Sequence, residues 1–106
     1  MMNPELKQKW VAALRSGDYE QARGALGDGT GYCCLGVLCD IDPSVKIGKD
    51  GYAVFPGGSI SDDSLTTDYA LSIGVPTVVE SRLIEMNDDF GKSFEQIALH
   101  IERNIP

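Results

Sequence analysis

The chain has 106 residues, 42% of them aliphatic, aromatic or cysteine, and a net charge of −7. That length fits one globular domain, 1–106, able to bury a core without disulfide or metal staples. No apolar run approaches the roughly 20 residues of a membrane span, and the acidic balance lacks the basic stripe of a nucleic-acid binder.

The chain opens with a helix signal. Asn3 is a good N-cap, Pro4 suits the first helical position, and Leu6, Trp10, Ala13 and Leu14 fall on one stripe at helical spacing. Ser16-Gly17 is the expected stop, with Trp10 as a core anchor. Residues 18–32, DYEQARGALGDGTGY, read as a β-hairpin or as a strand and a loop, and GDGTG is a turn cluster. Gly27, Gly29 and Gly31 lack the following Lys and Ser/Thr of a phosphate-binding loop.

Residues 31–40, GYCCLGVLCD, place three cysteines in seven apolar-rich positions. The run is apolar all round, so periodicity does not separate a buried helix from a buried strand. The expectation is a short buried helix at about 34–40, with Gly36 marking a close approach by another backbone. Residues 44–56, SVKIGKDGYAVFP, read as a hairpin turning on Asp50-Gly51, a type I′ signal. Residues 58–63 read as an exposed polar loop, and residues 64–73 fit either a strand or a short helix. Thr77 with Glu80 fits a capping box for a helix near 78–86, and Ser93 with Gln96 fits another for a helix ending near Asn104. The two helices make an αα-hairpin.

Leu99 and Ile84 lie off the apolar stripes of these helices. They form either a partner or dimer surface, or a second buried face. The architecture expected is therefore α+β. It comprises an N-terminal helix, a small antiparallel β-sheet with hairpins, a short buried cysteine-rich helix and a C-terminal αα-hairpin.

No catalytic constellation emerges. Cys33, Cys34 and Cys39 with His100 lack the paired spacing of a zinc site, because adjacent cysteines point in different directions. A nucleophilic cysteine would need a base, and the lone histidine, His100, lies off the core stripe of its helix. Asn87-Asp88-Asp89 are consecutive and do not fit a calcium loop; Asp88 and Asp89 are expected to serve the loop and the dipole of the following helix. The cysteines are expected to be core thiols, with no metal and no cofactor.

Charge is uneven along the chain. Residues 50–81 carry Asp50, Asp62, Asp63, Asp68 and Glu80 with no Lys or Arg, which suits a basic protein surface and repels phosphate backbones.

Three stretches, LKQKWVAALRSGDYEQARGAL (6–26), GYCCLGVLCDI (31–41) and LIEMNDDFGKSFEQIALHIERNI (83–105), resemble a family of small bacteriophage- and prophage-encoded proteins carrying a CCLGVLCD motif. The family has no established activity, so the resemblance implies a setting, a phage product in the cytoplasm of a bacterial host cell. In that setting the first expectation is a non-enzymatic protein inhibiting a host or anti-phage defence component through Asp62, Asp63 and Asp68, bound to a basic host surface. The alternative is an oligomeric sponge for a nucleotide signal, with Arg23, Tyr32 and Arg82 as ligand-binding residues.

Overall fold

A computed structural model describes residues 2–106. The fold is α+β. Helices α1 (Pro4–Arg15) and α2 (Cys34–Ile41) are followed by strands β1 (Lys46–Ile47), β2 (Ala53–Val54) and β3 (Ile60–Ser61). Helices α3 (Thr67–Ile73), α4 (Thr77–Asp88) and α5 (Phe94–Asn104) complete the chain. The strands form one antiparallel sheet in the order β1-β2-β3. No helix among the described residues is long and apolar enough to cross a membrane.

The signals at the first helix are met. The Asn3 side chain accepts from the backbone N–H groups of Glu5 (2.9 Å) and Leu6 (3.2 Å), and Pro4 is the first helical residue. Trp10 is fully buried, and its indole N–H donates to the Cys34 carbonyl at 2.9 Å. That bond satisfies the one polar atom of the largest core side chain and ties α1 to the start of α2.

Helix α2 is the centre of the molecule. Every residue from Cys34 to Cys39 is buried, and the helix packs against α1, α4 and β1. Six consecutive buried residues, with only Asp40 exposed near the end, leave little alternation for periodicity to read. Gly36 permits the contact: a Cβ on it would stand 1.8 Å from the Leu26 carbonyl oxygen.

Several local expectations need correction. Residues 18–32 form neither a hairpin nor a strand. They make only isolated bridges, Gln21 with Tyr32 in parallel and Gly27 with Tyr32 in antiparallel sense. Gly24 and Gly29 take positive φ (83° and 89°), which breaks any extended run. The Asp50-Gly51 turn is not type I′, which needs positive φ at both central residues; only Gly51 has it, at 86°. The Gly51 N–H donates to the Gly48 carbonyl at 3.0 Å, and a Cβ on Gly51 would lie 2.2 Å from the Gly27 carbonyl oxygen. The loop between the strands is thus a three-residue one, Lys49–Gly51, with Gly51 in the left-handed position, and the glycine loop leaves no room for a side chain there. Residues 58–63 contain strand β3 rather than only loop. Residues 64–73 resolve into α3, closed by Gly74 in the left-handed conformation (φ 82°).

The capping box expected at Thr77 is absent. Pro76 occupies the cap position, and Glu80 turns inward instead of reaching back. The box at Ser93 and Gln96 is present in both directions. Helices α4 and α5 do form a hairpin, but α5 packs most extensively on α1. The Arg15–Glu102 ion pair (2.7 Å) and a bond from Lys7 Nζ to the Ile105 carbonyl fasten that contact.

Candidate functional site

Alternation along β2 sorts the sheet into two faces. Ala53 and Phe55 point into the core, fully or nearly fully buried, while Tyr52 and Val54 point out. Val54 lies opposite Ile60 on β3, so their side chains are cross-strand neighbours on the outer face. Tyr52, Val54 and Ile60 are 49%, 41% and 61% exposed, a contiguous apolar strip in water. Lys46 on β1 lies opposite Val54, on the side of the strip away from β3.

Asp62, Asp63 and Asp68 follow one another from the end of β3 into the first turn of α3, and all three are exposed. The Asp62 carbonyl accepts from the Leu26 N–H at 2.7 Å, which fixes the backbone there. The Asp63 carboxylate accepts from the Ser61 hydroxyl at 3.3 Å. Asp68 sits where the α3 dipole favours a negative charge.

Two buried carboxylates hold this segment in place. Glu80 on α4 accepts the Leu65 N–H at 3.0 Å, and burial pushes its pKa up against the smaller opposing effect of that bond. Glu80 is therefore not a surface acid, and the exposed charge of residues 50–81 comes from the four aspartates. Asp42, just past the end of α2, accepts the Tyr69 hydroxyl at 2.5 Å and the Ser44 N–H and hydroxyl at 2.9 and 2.8 Å. Burial opposes its charge, but these hydrogen bonds outweigh burial and hold its pKa below the ordinary carboxylate value. Burial and Asp42 together raise the Tyr69 pKa. Glu80 and Asp42 thus anchor the chain on either side of Asp68, one ahead of α3 and one within it.

Of this site, the sequence had named only the aspartates. Tyr52 and Val54 were legible as strand residues, but which strand face lay open was not. Ile60 sat in a stretch too polar and glycine-rich to read as strand.

The nucleotide candidates lie apart. The Arg23 guanidinium donates to the Asn87 carbonyl at 3.1 Å. The Tyr32 ring packs edge-on against Tyr19, with centroids 5.6 Å apart. Arg82 is exposed on α4. Tyr32 lines a small cavity of about 90 Å³ with Gly27, Thr30 and Lys49, to which neither arginine contributes. In the same glycine loop Asp28 bonds to its own backbone: one carboxylate oxygen accepts the Thr30 N–H, the Thr30 hydroxyl and the Gly31 N–H at 2.8–2.9 Å. These bonds, led by the Thr30 N–H, lower the Asp28 pKa, so a carboxylate already occupies the place where an anion would sit.

The cysteines are free thiols, all buried. Cys33 caps α2, its sulfur accepting the Gly36 N–H at 3.4 Å, and the Cys34 thiol donates to the Leu83 carbonyl at 3.7 Å. Burial pushes the Cys33 pKa up to about 11 and raises those of Cys34 and Cys39 further. Among the described residues, no group of three or more His, Cys, Asp or Glu side chains is placed to hold a metal.

Residues 2–50 are similar to a family described as a domain of unknown function, DUF8296. The match spans α1, the glycine loop, α2 and β1, and stops at the hairpin tip. No curated protein and no solved structure matches the chain.

Proposed function

We propose that this is a non-enzymatic binding protein that inhibits a host or anti-phage defence component by direct contact. The observation that carries the reading is the outer face of the sheet, where Tyr52, Val54 and Ile60 stand exposed, with exposed Asp62 and Asp63 directly after β3 and Asp68 in the first turn of α3. Such a surface suits a partner that presents an apolar patch ringed by Lys or Arg. The apolar strip supplies desolvation energy, and the aspartates steer the encounter and reject acidic competitors. The burial of all three thiols, which raises their pKa values, supports a binding role over cysteine catalysis. The phage setting rests on the resemblance carried by residues 6–26, 31–41 and 83–105; the first two lie within the part that matches the family of unknown function.

The test compares the wild type with two variants as bait in lysate of a bacterial host. One reverses charge at Asp62→Lys, Asp63→Lys and Asp68→Lys; the other is Ile60→Glu. The partner retained by the wild type is expected to be lost by both, while circular dichroism shows both folded. Undiminished capture of that partner by either folded variant refutes the assignment of this face.

A further inference from the structure

A second surface lies on the α4–α5 corner. A groove of about 350 Å³ runs along α5, lined by Met86, Lys92, Leu99, His100 and Arg103 together with two amides, and no acid lines it. It gathers three basic side chains in a chain of net charge −7. Leu99 is 41% exposed on its floor. Lys92, His100 and Arg103 make no ion pair among the described residues.

The same corner carries a complementary projection. Phe90, in the turn after α4, is 53% exposed, and Asp89 beside it is exposed too. Asp88 has a local role, accepting the Asn87 side-chain amide at 2.8 Å. Asp89 has none: its carboxylate makes no hydrogen bond or ion pair among the described residues. It caps the C-terminal end of α4, where the helix dipole disfavours a negative charge and the last turn has no basic residue to offset it. At the start of α5 the cap is Ser93, so Asp89 makes no capping hydrogen bond there. Asp89 and Phe90 thus stand exposed side by side, an acid without a partner among the described residues next to an aromatic ring.

We propose that this corner is a two-fold interface with a second copy of the same chain, in which Asp89 and Phe90 of each copy seat in the α5 groove of the other. A two-fold contact requires one surface to carry both halves of a complementary pair, as this one does. With the two α5 helices antiparallel, the turn that precedes one helix meets the C-terminal half of the other. Phe90 then covers Leu99 of the second copy, and Asp89 meets its His100 and Arg103. Charge matches in both directions because the dyad applies the pair twice. The contact involves two short helices and a turn, less than a standard stable interface, so association is weak and reversible.

Sedimentation velocity over a concentration series tests this. The wild type is expected to sediment faster as concentration rises, towards a dimer. Asp89→Arg and Arg103→Glu each set like charges face to face and are expected to weaken self-association by at least about tenfold. Mixed in equal amounts, these two variants restore both charge pairs and are expected to recover the dimer, which a mere folding defect would not do. Phe90→Ser is expected to stay monomeric in any mixture. A wild type that remains monomeric to millimolar concentration overturns the proposal, as does a mixture of the two charge variants that fails to associate.

Discussion

Gly36 lies against the carbonyl of Leu26 so closely that a Cβ on the glycine would come within 1.8 Å of the oxygen. Both groups are backbone, so neither can swing aside. The contact lets the glycine loop lie flat on α2, and it places the Cys33 N–H 3.1 Å from the same Leu26 oxygen. Gly36→Ala is therefore expected to cost about 3 kcal/mol, at the upper end of overpacking, with a fall in Tm of roughly 15 °C. Thermal denaturation followed by circular dichroism measures it. An unchanged Tm would mean that the loop and helix are not in this contact.

The three thiols make a second prediction. Burial dominates each of them, and at pH 8 the most accessible, Cys33, has only roughly one part in a thousand as thiolate. An aromatic disulfide reagent is expected to find no reactive cysteine in the native protein and three in denaturant. Stoichiometric labelling of the native protein would show at least one sulfur to be open and would revive a catalytic or redox role.

Asn87 is fully buried near the end of α4 and binds three consecutive residues of one loop segment. Its side-chain oxygen accepts from Gln21 at 2.9 Å, its amide donates to the Ala22 carbonyl at 2.8 Å, and its own carbonyl receives Arg23. These bonds hold the irregular segment 20–23, which no sheet ladder supports. Asn87→Ala strands the Ala22 carbonyl in the interior and is expected to cost about 2–3 kcal/mol. Amide exchange at residues 20–24 should accelerate more than exchange in α2. Equal acceleration throughout would argue for a general core defect instead.

The parts of the fold that could be read in advance were those whose signals are local. Asn3-Pro4 and the Ser93/Gln96 box each specify their helix within four residues, and both behave as their chemistry dictates. What misled was tertiary. Thr77 and Glu80 have the spacing of a capping box, but Pro76 takes the cap and the Leu65 N–H claims the carboxylate from fifteen residues away. Asp50-Gly51 has the composition of a tight two-residue turn, yet the loop takes one residue more, with Gly51 N–H bonded to the Gly48 carbonyl and only Gly51 at positive φ. At the candidate site, Asp62, Asp63 and Asp68 stood out by charge alone. The strip they border depends on which face of a two-residue strand is covered, and no periodicity survives in so short a strand.

Glu80 offers the last prediction, a pH dependence of defined sign. Its carboxyl is buried with one hydrogen bond donor and no cation beside it, and its folded pKa is raised above the ordinary 4.5, chiefly by burial. The fold therefore binds this proton more tightly than the unfolded chain does. Its favourable contribution is present below the unfolded pKa and is lost as pH rises through the folded one. Asp42 acts oppositely: its depressed pKa makes it stabilising above the ordinary 3.8, a contribution lost only in stronger acid. The two effects separate by pH and by variant. Glu80→Gln keeps an oxygen for the Leu65 N–H and removes the buried charge, while Asp42 is common to both proteins and cancels in the difference. The variant is expected to exceed the wild type in Tm by a few degrees at pH 7, with the gap closing towards pH 4. A gap of the same size at both values would trace the effect to packing, and a less stable variant at pH 7 would mean that the charged carboxylate is itself held by a partner.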